Sequence, residues 1–166
     1  FLTLKTPLKS NSLVRIASED EVLKLKATNA PLKLYGYGSL TDQGQDATNP
    51  KYFTAEFENI THPLVNSGYA KSSLGDVCVG DSGGPVVNVT PTAITVVGVI
   101  TGATRSNKCS KKSVDGSYRT TFTLLNRYAN LAFATVSKIA ANLSANNIKQ
   151  SELSDVKAEV LLLKSQ

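Results

Sequence analysis

The sequence predicts an all-β domain, either a barrel or a sandwich, followed by a helix near its C-terminal end. Two observations from the first two thirds of the chain support the sheet: runs rich in Val, Ile and Thr lie between turn residues, and earlier segments alternate polar with apolar residues. The third observation is that apolar residues recur with the spacing of a helix only from about residue 125 onward. With 166 residues, 41% of them hydrophobic and 19% charged, the chain has an ordinary globular composition.

The strands are predicted in order along the chain. LKLYGYGSL (32–40) and YFTAEFENI (52–60) alternate as half-buried strands do, and a polar loop, TDQGQDATNP, separates them. PVVNVTPTAITVVGVITG then contains two β-rich runs around Thr90-Pro91-Thr92. This arrangement predicts a hairpin that returns toward Gly102.

Two helices are predicted at the end of the chain. Apolar residues fall on one side of a helix over residues 126–143, and SELSDVKAEVLLLKSQ repeats the pattern. The polar face of this second helix mixes acids with lysines. A surface helix packed on the barrel is therefore favoured over a partner-binding or membrane-surface helix.

Charge and cysteine content narrow the function classes. The net charge is +5, but the 18 Lys and Arg are scattered, which is typical of a solvated surface and does not favour nucleic-acid binding. The sequence contains no run of about 18 apolar residues, which a membrane-spanning helix would need.

Cys78 and Cys109 have no Cys or His nearby at metal-ligand spacing, so one disulfide in an oxidising compartment is favoured over a metal site. Because the sequence has no Met, we expect Phe1 to be a processed end or the start of a fragment.

The string GDSGGP at residues 80–85 points to nucleophilic chemistry. A serine hydroxyl is a weak nucleophile at neutral pH, so it needs a base to take its proton and donors to hold an oxyanion. Glycines on both sides of Ser82 leave backbone N–H groups open to a substrate. The N–H groups of Gly80 and Ser82 could then converge on one oxygen, and a simple glycine-rich turn is the less favoured alternative.

GDSGGP resembles the nucleophile loop of the chymotrypsin/trypsin family, whose members carry out this chemistry with a Ser-His-Asp triad. The resemblance implies that Ser82 is the nucleophile and that Gly80 and Ser82 form the oxyanion hole. It also implies that Asp81 pairs with the N-terminal ammonium released on zymogen cleavage. Cys78 and Cys109 match the family's disulfide beside the specificity pocket.

Further segments carry the same resemblance and imply a chymotrypsin-like double β-barrel. LYGYGSL is similar to the family's Gly-Trp-Gly strand, TVVGVITGA to the strand that flanks the substrate, and DGSYRTTF to the Gly-Val-Tyr strand. FLTLKTPL resembles the strand that directly follows the triad aspartate. The implied division is the end of the first barrel and the interdomain connection in residues 1–26, the second barrel with its helix in 27–146, and an amphipathic helical tail in 147–166.

The resemblance also implies a specificity pocket and an incomplete triad. Asp76 corresponds to the base of the pocket, which predicts cleavage after Arg or Lys; the other implied substrate-binding residues are Val77, Thr101, Gly102, Ala103 and Gly116. The family's order is His, then Asp, then Ser, whereas the only histidine, His62, lies on the serine side of the YGYG strand. The triad His and Asp are therefore expected on a missing N-terminal segment.

The function that the resemblance implies is a trypsin-like serine endopeptidase, secreted or periplasmic, with no metal or organic cofactor. Its expected partners are protein or peptide substrates and the N-terminal segment of the same protease, with protein inhibitors as further candidates. The alternative is a non-catalytic relative that acts as a binding or regulatory protein. Retention of Ser82 and its glycines favours the enzyme.

Overall fold

A computed structural model of the chain describes residues 14–39, 48–61, 66–103, 112–129, 134–135, 137–138 and 141. Contacts divide the chain into two compact units, and the unit Ser10–Asn126 contains every strand among the described residues. The elements in chain order are β1 Val14–Ile16, α1 Glu19–Ala27, β2 Pro31–Gly36, β3 Lys51–Phe57, β4 Ser67–Ser72, β5 Pro85–Val89, β6 Ile94–Ala103, β7 Tyr118–Leu124 and a 3-10 turn at Asn126–Tyr128.

Six of the strands close an antiparallel barrel. Going round it, β2 pairs with β3, β3 with β4, β4 with β7, β7 with β6, β6 with β5, and β5 with β2 again. Outside the barrel, β1 lies parallel to the first residues of β6. The all-β prediction is confirmed, and the architecture is a barrel of the chymotrypsin-like kind rather than a sandwich.

Alternate strand residues fill the barrel. Phe57 and Phe122 meet at 5.3 Å between ring centroids and at 61°, an edge-to-face contact. Glycines on neighbouring strands make room for Phe122, since a Cβ at Gly98 would lie 2.6 Å from the ring and one at Gly68 would lie 2.8 Å from it. The buried hydrophobic residues contributed by the barrel strands are Leu32, Leu34, Ala55, Phe57, Ala70, Val86, Val87, Val97, Ile100, Phe122 and Leu124.

The hairpin predicted around Thr90-Pro91-Thr92 is confirmed. The Thr90 N–H donates to the Ala93 carbonyl at 2.9 Å, and the Ala93 N–H donates to Thr90 Oγ1 at 3.1 Å. These two bonds close the turn between β5 and β6. The strands predicted at 32–40 and 52–60 are present as β2 and β3, but both end earlier, at Gly36 and Phe57.

Helix α1 was not predicted, because residues 1–26 were expected to hold only a barrel end and a connection. It begins with a capping box, in which Glu21 N–H donates to Ser18 Oγ at 3.3 Å and Ser18 N–H donates to Glu21 Oε2 at 2.9 Å. Hydrogen bonding from the Arg15 guanidinium lowers the pKa of Glu21 to about 2. The Ser-x-x-Glu spacing was the sequence signal for this helix.

The C-terminal predictions are described only in part. Within the helix predicted over 126–143, the 3-10 turn is followed by helical residues at 129, 134, 135, 137, 138 and 141. The other residues of that segment, the tail at 147–166 and the strand expected at 1–8 lie outside the described residues, so the domain boundaries at 26 and 146 stay predictions. Within the described ranges, no helix has both the length and the apolar character that a membrane-spanning helix needs.

Candidate active site

Ser82 lies on the nucleophile loop, residues 73–84, which connects β4 to β5. The loop is hydrogen-bonded to β6: Gly83 N–H donates to the Ile100 carbonyl at 2.9 Å, and Ile100 N–H donates to the Gly84 carbonyl at 2.9 Å. Gly84 N–H donates to the Asp81 carbonyl at 3.0 Å, which closes a tight turn across Ser82. Ser82 is exposed at the surface. The barrel therefore presents this serine to solvent from a backbone that is anchored on both sides.

Three glycines of the loop are required by its geometry. Gly80 and Gly83 have φ of 94° and 88°, in the left-handed region that favours glycine. A Cβ at Gly84 would lie 2.9 Å from the Asp81 carbonyl oxygen and would collide with the Tyr35 carbonyl oxygen. The motif is thus explained by backbone conformation and close approach.

The backbone N–H groups of Gly80 and Ser82 differ from those of their neighbours in the GDSGGP motif. The N–H groups of Cys78, Asp81, Gly83 and Gly84 all donate to acceptors within the protein. Those of Gly80 and Ser82 find no acceptor among the residues that the structure describes. Such donors close to a nucleophile can stabilise negative charge that develops on a bound carbonyl oxygen.

The Asp81 carboxylate holds the nucleophile loop against the end of β2. Its Oδ1 accepts from Gly38 N–H and its Oδ2 from Cys78 N–H, both at 2.8 Å. Nearby, Ser39 N–H donates to the Val79 carbonyl at 2.8 Å. The structure therefore brings together the YGYG segment and the GDSGGP motif, which lie some forty residues apart in the chain.

The glycines of the YGYG segment make room for this carboxylate. A Cβ at Gly38 would lie 2.6 Å from Asp81 Oδ1, and a Cβ at Gly36 would collide with the same oxygen. Any larger residue at either position would displace Asp81. The aromatic position between them, Tyr37, is exposed.

Asp76 lies at the start of the same loop and is more sheltered than an ordinary surface acid. Its Oδ1 accepts from Val77 N–H at 2.8 Å and from Thr120 Oγ1 at 2.6 Å. Burial raises the pKa of Asp76, and the hydrogen bonds from Thr120 and Val77 act in the opposite direction. Thr120 comes from β7, so this contact links the loop to the barrel wall.

A cavity of about 250 Å³ lies where the nucleophile loop meets the ends of β2 and β3. Both acids of the loop are among its lining residues, which include Gly36, Gly38, Tyr52, Leu74, Asp76 and Asp81. The lining also includes one basic residue, Lys51, and large aromatic and aliphatic residues, among them Tyr35 and Phe53.

The predicted substrate-flanking strand has an irregularity at Thr101. The register of β6 against β7 shifts between Ile100 and Gly102, so Thr101 has no partner in the ladder with β7 and is exposed. Thr121 Oγ1 donates to the Gly102 carbonyl at 2.8 Å and holds the strand on the far side of this bulge. Ala103, the last residue of β6, is partly buried against the core.

Gly116 lies on the charged turn, residues 112–117, which precedes β7. Its φ is 77°, and a Cβ built on it would meet nothing within 4 Å. Asp115, next to it, accepts from Ser117 N–H at 3.1 Å and Ser117 Oγ at 2.6 Å. The conformation of this turn thus depends on a left-handed glycine and on one carboxylate.

An ion-pair network that was not predicted surrounds the charged turn. Asp115 contacts Lys71 Nζ at 3.1 Å and Arg119 Nη2 at 2.9 Å. Arg119 also binds both oxygens of Glu58, with two of the contacts at 2.8 Å. Hydrogen bonds from Ser117 are the main reason that the pKa of Asp115 lies well below its usual range. The hydrogen bond to Glu58 raises the pKa of Arg119.

Two of the predicted residues fall outside the described ranges, namely Cys109 and His62. The described part of the chain contains no free cysteine, and the pairing of Cys78 with Cys109 stays a prediction. Among the described residues, no group of three or more His, Cys, Asp or Glu side chains could hold a metal ion.

Comparison with known families agrees with the resemblance of the motifs. A family model described as Trypsin matches residues 1–130, which is more than three quarters of the chain. The matched range contains the whole barrel, the nucleophile loop and the charged turn.

Proposed function

Because the chain belongs to the trypsin family, we propose that it is the nucleophile-bearing part of a serine endopeptidase that cleaves proteins or peptides after Arg or Lys. The observation that supports this most strongly is the nucleophile loop, which exposes Ser82 while leaving the N–H groups of Gly80 and Ser82 open. A serine protease needs this combination, since the nucleophile and the oxyanion donors must face the same carbonyl group.

In the proposed reaction, Ser82 Oγ attacks the scissile carbonyl carbon while a histidine takes the hydroxyl proton. The N–H groups of Gly80 and Ser82 donate to the oxyanion, and the protonated histidine gives its proton to the leaving amine as the peptide bond breaks. Water then hydrolyses the acyl-enzyme by the same route in reverse. We assign the histidine and its orienting aspartate to an N-terminal segment of the same protease, because His62 does not match the family's order.

Asp81 is proposed to receive the N-terminal ammonium released on zymogen cleavage. Two observations support this role: Asp81 lines the 250 Å³ cavity, and its Oδ2 holds the Cys78 N–H, two residues before Gly80. An ammonium bound there would fix the carboxylate and, through it, the backbone that carries the oxyanion donors.

Asp76 is proposed to pair with the Arg or Lys side chain that precedes the scissile bond, with Val77, Gly116 and the segment Thr101 to Ala103 around the substrate. A sheltered carboxylate that faces an apolar side chain is left unpaired, at a cost of several kcal/mol. Discrimination against Leu or Phe should therefore be large.

The disulfide and the location belong to the same proposal. A Cys78–Cys109 bond would tie the nucleophile loop to the segment before the charged turn, and closing a loop of about 30 residues stabilises a fold by roughly 3 to 4 kcal/mol. Such a bond persists in a secreted or periplasmic protein. Peptide mapping without reduction should recover the two cysteines in one cross-linked pair.

The proposal is tested by profiling the chain, joined to the segment that carries His and Asp, on peptides that differ only before the scissile bond. We expect kcat/KM after Arg and Lys to exceed that after Leu by about 10³ or more. Asp76→Ser should remove this preference, whereas Asp20→Ser on helix α1 should keep it. Equal turnover after Leu and Arg would exclude Asp76 as the specificity residue, and no turnover at all would favour the non-catalytic relative.

A further inference from the structure

We infer that Thr120 is a specificity-determining residue: by occupying one oxygen of Asp76, it limits the carboxylate to a one-oxygen contact with the substrate cation and so disfavours the two-point contact of arginine. The inference rests on the proposed function, in which Asp76 receives the side chain before the scissile bond. Thr120 is not among the substrate-binding residues that the family resemblance implied.

The hydrogen bonds of Asp76 are unevenly divided between its two oxygens. Oδ1 accepts from Val77 N–H at 2.8 Å and from Thr120 Oγ1 at 2.6 Å, which fills both of its lone pairs. Oδ2 receives no donor from the part of the chain that the structure describes. A ligand therefore finds one open oxygen instead of two.

Thr120 is held firmly in its place. Its backbone pairs with Ala70 on one side and with Ala103 on the other, and it is 1% exposed. A β-branched side chain in a strand has few χ1 alternatives, so the hydroxyl cannot easily turn away. Among the described residues, the only hydrogen-bond partner of the Thr120 hydroxyl is Asp76. A buried hydroxyl that loses its partner is unfavourable.

The two substrate cations respond differently to a single open oxygen. The arginine guanidinium binds a carboxylate best through two parallel N–H bonds, one to each oxygen. In this site the second bond would have to displace Thr120 Oγ1. The lysine ammonium is a compact charge that can bind Oδ2 alone, so Thr120 shifts the balance from Arg toward Lys.

Removal of the hydroxyl should restore the second oxygen. We expect Thr120→Val to raise the ratio of kcat/KM for Arg over Lys peptides by about tenfold, the factor typical of one charge-assisted hydrogen bond. Thr120→Ser keeps a hydroxyl and should leave the ratio within about twofold of the wild-type value. If Thr120 had only a structural role, its replacement would lower kcat/KM for Arg and Lys peptides equally and leave their ratio unchanged.

Direct binding provides a readout that does not require catalysis. n-Propylguanidinium and n-butylammonium, titrated by NMR into the same protein, should show the same tenfold change in relative dissociation constant in Thr120→Val and none in Thr120→Ser. Thr120→Ala also lacks the hydroxyl and replaces Thr120→Val should that variant not fold.

Two results would overturn the inference: an unchanged ratio in folded variants that lack the hydroxyl, or no binding of either cation to the wild-type protein. Labelling of Ser82 by a fluorophosphonate separates a failure of this inference from a failure of the proposed function. If Ser82 is labelled and the ratio is unchanged, the inference fails and the endopeptidase stands. If Ser82 is never labelled but the cation ratio changes as expected, the endopeptidase fails and the role of Thr120 stands.

Discussion

The nucleophile loop and the charged turn both contribute to the proposed substrate site, yet different interactions hold them. In the loop, backbone N–H groups bind backbone carbonyls and the carboxylates of Asp76 and Asp81, and glycines make the close approaches possible. The turn also has backbone bonds, from Ser113 N–H to the Ser117 carbonyl and from Gly116 N–H to the Ser113 carbonyl, and in addition Asp115 is bound by side chains from β4 and β7. Both regions therefore depend on backbone geometry, but among the described residues only the turn adds ion pairs, so the turn should respond more strongly to salt.

Within the charged network the two outer pairs are unequal. The Glu58 and Arg119 side chains are 13% and 22% exposed, whereas those of Asp115 and Lys71 are both 41% exposed. Solvent screens exposed pairs more strongly. Most of the stabilisation from this network should come from Glu58 and Arg119, and the Lys71 contact should mainly orient the turn.

The largest effect is expected from a methyl group at Gly84. Its Cβ would press on the backbone of Tyr35 and Asp81, neither of which can yield without moving β2 or the loop. Gly84→Ala should lower the free energy of unfolding by about 3 kcal/mol or more, measured by denaturant titration. Gly75→Ala is the matched control, because a Cβ there meets nothing within 4 Å. Equal stability of the two variants would show that the loop is not anchored by close backbone packing.

A smaller loss is expected when Asp81 becomes neutral. In Asp81→Asn, the side-chain amide can still accept from one N–H but must turn its NH₂ group toward the other, either Gly38 or Cys78. The cost should be about 1 to 3 kcal/mol in the free energy of unfolding. Asp20→Asn, on the first turn of α1, should stay within about 0.5 kcal/mol of the wild type. A neutral result for Asp81→Asn would contradict the role given to this carboxylate.

Arg119→Met tests the charged turn while keeping most of the side-chain bulk. Loss of the bonds to Glu58 and Asp115 should cost about 1 kcal/mol, and high salt should reduce this difference because it screens the exposed part of the network. Thermal unfolding at about 0.05 M and about 1 M NaCl measures both quantities. Lys24→Met on α1 serves as the control. A difference that grows with salt would rule out a charge-based account of the turn.

The smallest effects should appear in the pH dependence, with opposite signs in the two regions. Burial raises the pKa of Asp76, so its contribution to stability falls as the pH rises from the usual value near 3.8 through the raised one. Ser117 and the cations lower the pKa of Asp115, so its contribution is present above 3.8 and is lost as the pH falls. Wild-type stability relative to Asp76→Asn should therefore fall as the pH rises above 3.8, and wild-type stability relative to Asp115→Asn should fall as the pH drops below 3.8. Parallel curves would contradict the assignment.

The same contrast explains which parts of the molecule could be predicted from the sequence. GDSGGP is local: Gly80 and Gly83 are required by their own left-handed backbone, and only Gly84 is required by the approach of a neighbouring strand, so the loop could be recognised before its surroundings were known. The pairing of Arg119 with Glu58 depends instead on the register of β3, β4 and β7. Lys71 lies opposite both Glu56 and Arg119, and Glu58, two residues after Glu56, reaches Arg119 diagonally across β4. No local pattern reports such a register.

Strand β4 and helix α1 were missed for different reasons. SGYAKS, the sequence of β4, has glycine and alanine at two of its inward positions, because Gly68 must admit the ring of Phe122. An apolar alternation was therefore absent. Helix α1 carried a clear start signal in Ser18 and Glu21, but its weak apolar face and the expectation of a connecting segment concealed it.

Covalent labelling of Ser82 tests the proposed activity most directly. The chain, joined to the segment that carries His and Asp, is treated with a fluorophosphonate and digested, and the modified residue is located by mass spectrometry. We predict one phosphonylated residue, Ser82, with no labelling of Ser82→Ala and full labelling of Ser73→Ala, which changes an exposed serine of the same loop. Labelling that persists in Ser82→Ala, or an unlabelled wild-type protein, would contradict a nucleophilic role for Ser82.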